Sequence, residues 1–82
     1  MLPEHHFIDD RRWIQQQLMR LPTLLMRKRA IEGYSEVYRA NFDSEPEERF
    51  KVERARFAAN SRLREYVAAV SKAAAAKSSP SP

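Results

Sequence analysis

Apolar residues recur every three or four positions along most of this chain, and no stretch alternates apolar with polar. Helical side chains return to one face about every 3.6 residues, strand side chains every second one, so the pattern predicts an all-α fold. Residues 1–8 read as an irregular, solvated lead-in. Asp9 is placed to cap a first helix, with Ile8 and Trp13 at hydrophobic-staple positions. That helix is expected from about Asp10 to Arg20, with Ile14, Leu18 and Leu21 on one face and Trp13 at its edge. Leu21-Pro22-Thr23 ends it, because proline lacks a backbone donor and keeps Leu21 out of helical geometry.

A second helix is expected from about Thr23 to Asn41, with Met26, Ala30, Ile31, Tyr34, Val37 and Tyr38 on one broad apolar face. Gly33 lies inside it at a cost of ~1 kcal/mol relative to alanine, which points to close approach of another helix. Ser44 and Glu47 have capping-box spacing, and Glu45, Glu47 and Glu48 complement the positive end of a third helix. This helix is expected from about Glu45 to the alanines near position 76, with Phe50, Phe57, Leu63, Val67 and Val70 as its buried stripe. Glu45/Arg49, Glu47/Lys51 and Arg49/Glu53 are spaced for ion pairs along it. Residues 71–82 lose the apolar face; the alanines can continue the helix, and the Ser/Pro end is expected to be disordered. The whole reads as a three-helix domain over residues 9–70: a short first helix and a long antiparallel hairpin.

At 82 residues the chain holds one domain with a small core. It has no cysteine, hence no disulfide framework, cysteine zinc site or thiol nucleophile. No apolar run approaches a membrane span, and the polar, acidic start does not resemble a secretory signal. A cytoplasmic location is the resulting expectation. One glycine is too few for a phosphate-cradling loop.

Net charge is +4 and unevenly spread. Residues 43–70 carry six basic and six acidic side chains, whereas Arg27-Lys28-Arg29 is an unbroken basic triplet. With Arg11, Arg12 and Arg20 it is expected to make a positive corner near Pro22, able to neutralise phosphates in a salt-sensitive way.

Reaction chemistry finds little support. His5-His6 would need further ligands to hold a metal, and adjacent residues in an extended segment point apart. Tyr34 and Tyr38 share a helix face, as paired nucleophiles in DNA nicking do, but that chemistry needs a metal-holding histidine cluster that is missing here. Their ordinary role is to bury the ring and keep the hydroxyl wet. Asn60 interrupts the third helix's apolar side and needs a hydrogen-bond partner or exposure. No catalytic set, metal site or cofactor is expected.

The run Arg20-Leu21-Pro22, then Tyr34 and Tyr38, then Arg56-Phe57-Ala58-Ala59-Asn60 and Leu63-Arg64-Glu65 resembles a helical segment near the N-terminus of gpA-type replication endonucleases of temperate tailed phages. The resemblance covers roughly residues 11–70. It implies a phage or prophage protein corresponding to the non-catalytic helical part of that family, since the nicking chemistry resides in a later domain. The leading expectation is a non-enzymatic protein that binds a phage replication or bacterial host protein, or a second copy of itself. Its surface would comprise Trp13, Leu24, Leu25, Met26, Ile31, Tyr34 and Tyr38. The alternative is direct DNA binding through Arg11, Arg12, Arg20, Arg27, Lys28 and Arg29, and a nicking enzyme fragment ranks third.

Overall fold

The computed structural model describes residues 1–78, and among them every regular element is helical. A 3-10 turn at Ile8–Asp10 leads into α1, Arg11–Met19; α2 spans Leu24–Ser44; a second 3-10 turn at Glu48–Phe50 opens α3, Lys51–Ser78. α2 and α3 pack as the expected antiparallel hairpin, and α1 lies mainly against α3. α3 passes position 70 without a break, so the alanines do continue it. The expected disorder of the Ser/Pro end falls on residues 79–82, outside the described residues.

The corner follows from its residues. The Leu21 N–H still reaches back to the Leu18 carbonyl at 3.1 Å, and Pro22 then turns the chain. Thr23, in extended geometry, caps α2 by accepting the Met26 N–H at 3.1 Å. Leu21 is fully buried at this bend, and Arg27 Nε donates to its carbonyl at 3.1 Å.

The core is built from four-residue rows: Ile14 and Leu18 on α1, Ala30, Tyr34 and Tyr38 on α2, and Ala55, Ala59, Leu63 and Val67 on α3. A spacing of four keeps successive side chains nearly above one another, giving ridges that interdigitate between helices. The upper half of the α3 row is alanine, which leaves room for the two tyrosine rings of α2. Those rings continue into Phe42 as a ladder, with centroids 6.4 Å apart at both steps.

The expected stripe therefore needs correction at Phe50 and Phe57, which are 42% and 76% exposed. Phe57 is two positions from both Ala55 and Ala59, roughly 200° around the helix from the buried row. Ring size pointed to burial; the phase set by the small residues decides against it.

Four local expectations are also overturned. Asp9 caps nothing; the turn before α1 begins at Phe7, and Ile8 is 63% exposed rather than stapled to Trp13. The Ser44/Glu47 box does not form, because α2 runs on through Ser44, whose hydroxyl donates to the Asn41 carbonyl at 3.3 Å. The connection is instead held by Lys51, whose Nζ donates to the Phe42 carbonyl at 3.1 Å and to that of Glu45. Such a lysine satisfies carbonyls left open at a helix C-terminus. The buried Glu45 carboxylate accepts the Glu47 N–H and pairs with Arg54, replacing the expected Glu45/Arg49 pair. Lastly, the lead-in is irregular but packed: Pro3 is fully buried, Leu2 and Phe7 lie against the core, and the His5 N–H donates to Ser35 Oγ at 3.3 Å.

Gly33 has an ordinary negative φ, and a Cβ built there would meet nothing within 4 Å. No neighbouring helix comes close enough to require the missing side chain, contrary to expectation. Gly33→Ala is expected to stabilise the protein by about 0.5–1 kcal/mol in urea unfolding, because the fold gains nothing from the missing side chain.

Candidate partner-binding surface at the Pro22 corner

The most developed polar constellation joins three helices. Asp10, just before α1, accepts from Arg56 Nε and Nη2 at 2.8 Å each and from Asn60 Nδ2 at 3.2 Å. Arg56 and Asn60 are four apart on α3, so both reach one carboxylate. Asn60 Oδ1 accepts in turn from the Tyr34 hydroxyl of α2. The Arg56 guanidinium also lies 4.3 Å from the Phe7 ring centroid, a cation–π contact. Asn60 thus has the partner its position demanded.

The electrostatics match this wiring. Hydrogen bonding from Arg56 holds the Asp10 carboxyl below its usual range, opposed by partial burial. The same bond holds Arg56 above its ordinary value. Burial first, then the Asp10 charge, pushes the Tyr34 phenol far up, and burial also raises Tyr38. The Tyr34 hydroxyl is committed to Asn60, and both rings lie in the core. Among the described residues no three His, Cys, Asp or Glu side chains gather as a metal site. His6 Nδ1 lies 2.7 Å from the Pro3 carbonyl instead.

The structure divides the expected partner surface. Leu24 and Leu25 are exposed, at 54% and 58%. Met26 and Ile31 are half-buried against the core. Trp13 is half-buried too, with the Arg64 guanidinium 5.5 Å from its ring centroid. Tyr34 and Tyr38 drop out of the surface: they are 1% and 9% exposed and belong to the core. Sequence reasoning missed Met19, 77% exposed beside the corner, although it sits one position off the Ile14–Leu18 row. A groove of about 310 Å³ opens there, lined by Met1, Gln15, Leu18, Met19, Arg27 and Ile31.

The basic residues divide likewise. Arg20, Lys28 and Arg29 are exposed at the corner, whereas Arg27 is half-buried and committed to the Leu21 carbonyl. Arg11 and Arg12 are exposed in the first turn of α1, about 12 Å of helix away from Arg20, and do not join the corner. Residues 11–31 nonetheless contain six basic and no acidic side chains, while the rest of the chain carries more acid than base. Near the Pro22 turn, exposed apolar side chains are thus accompanied by exposed basic ones, Arg20 and Lys28.

Comparison with family models, curated proteins and solved structures finds no match. No helix among the described residues is long and apolar enough to cross a membrane.

Asp10→Asn is expected to cost about 1–3 kcal/mol at pH 7, since it weakens a charge-assisted fork. A carboxyl lowered on folding stabilises above its unfolded pKa of 3.8 and loses that contribution as pH falls through the lower folded value. The gap between wild type and Asp10→Asn, read by urea unfolding, should therefore narrow below pH 3.8.

Proposed function

We propose that this chain is a non-enzymatic helical binding module whose partner is a protein presenting apolar side chains within an acidic surface. The observation that carries the reading is the exposure of Met19, Leu24 and Leu25, each more than half exposed and all within six residues of the Pro22 turn, with Arg20 and Lys28 exposed in the same short stretch and no acidic residue in it. Exposed apolar groups gain from burial, and a surrounding field of one sign selects a partner of the other. The likeness to gpA-type proteins favours a setting in phage DNA replication or host takeover, with a phage replication or bacterial host protein as partner.

Direct DNA binding is the second reading, supported by the same one-signed charge. The exposed Leu24 and Leu25 favour a protein partner, because phosphate backbones are met by charged and polar groups.

The readings separate by substitution. Leu24→Ser with Leu25→Ser is expected to weaken capture of the partner from bacterial lysate about tenfold or more, with the melting temperature unchanged. Arg20→Gln, Lys28→Gln and Arg29→Gln together should weaken it less and flatten its salt dependence. Arg27 is left intact because it holds the corner. If the leucine changes leave capture intact while the charge changes abolish a gel shift and its salt slope, DNA is the partner.

A further inference from the structure

Between α2 and α3 lies a groove of about 460 Å³, separate from the one beside Met19. Gly33 and Leu63 contribute to its lining, with Arg29 from α2 and Arg62, Glu65 and Tyr66 from α3. Gly33 is the unexplained residue of the fold. It has a helical backbone that any residue adopts, a Cβ there would enter open space, and glycine is the least favourable non-proline residue in a helix interior. What its missing side chain does is keep this groove deep.

Arg29 and Arg62 are exposed guanidinium groups, one from each helix, and neither forms an ion pair with another of the described residues. Two unpaired arginines facing a cleft suit a carboxylate, which accepts from guanidinium groups in fork geometry. Glu65 on the same wall disfavours a continuous phosphate backbone, and Leu63 with Tyr66 offers apolar surface to the stem of a side chain.

The geometry points to the groove over Gly33 as the receptor for an acidic residue of a protein partner, its carboxylate held by Arg29 and Arg62 and a neighbouring apolar side chain laid over Gly33. This rests on the reading of the chain as a protein-binding module and adds a second, polar anchor to the apolar corner, to which Arg29 already belongs.

The test is an amide chemical-shift titration of the full chain with acetyl-Phe-Asp-amide and acetyl-Phe-Asn-amide. The aspartyl peptide is expected to move the Gly33 and Tyr66 amides and to bind about tenfold more tightly than the asparaginyl one. Arg29→Gln and Arg62→Gln should each erase that preference. Gly33→Leu should abolish binding without loss of the native spectrum, with Gly33→Ala as the folded control. Equal binding of the two peptides, shifts away from the groove, or binding untouched by Gly33→Leu overturns the proposal. So do equal shifts with inorganic phosphate or a thymidine oligonucleotide, or concentration-dependent shifts without peptide, which mark a second copy as the occupant. A null titration while capture still depends on Leu24 and Leu25 removes the groove alone; capture indifferent to both leucines removes the wider reading and this one with it.

Discussion

Asp10 carries one of the few charges in this molecule that is largely withdrawn from water, with its side chain 12% exposed. Desolvating a carboxylate is costly unless its oxygens are occupied. Here Arg56 occupies both and Asn60 adds a further bond to one. Asn60, aimed at Asp10, presents its own oxygen to Tyr34, so the order extends from the turn before α1, through α3, into α2. Moving any of the three helices would strand a polar group. Apolar rows alone could slide by a turn; this chain of bonds sets their register.

The helical class, the Pro22 corner and the burial of Leu21, Leu63 and Val67 were legible because each follows from one strong local rule. What was not legible depended on balance. Ala55 and Ala59 look like surface residues when apolar size is the guide, yet their smallness lets α3 approach Tyr34 and Tyr38. Ser44 and Glu47 satisfy the spacing of a cap, but Lys51 reaches the same end of α2 from the following helix. Asp9 and Asp10 are equivalent in sequence; only the position of Arg56, far along the chain, tells them apart. At the candidate surface, Leu24 and Leu25 are exposed, whereas Tyr34 and Tyr38, expected beside them, are buried in the core.

Several residues of the runs singled out in the sequence are taken up by packing and hydrogen bonding. Within Arg56-Phe57-Ala58-Ala59-Asn60, the arginine and asparagine hold Asp10 and Ala59 lies in the core. Tyr34, Tyr38, Leu21 and Leu63 are buried as well. Much of these runs is thus engaged within the fold, while Arg20, Phe57, Arg64 and Glu65 are exposed.

The link between α2 and α3 has a kinetic side. Lys51 reaches the Glu45 carbonyl across six positions and that of Phe42 across nine, whereas Asp10 meets Arg56 and Asn60 across 46 and 50. Short loops close at lower entropic cost, and chains gather local contacts first. The order of assembly that follows is a hairpin that zips from its own bend, with the segment up to the end of α1 docking afterwards. Loosening the Asp10 anchor should then hasten unfolding far more than it slows folding.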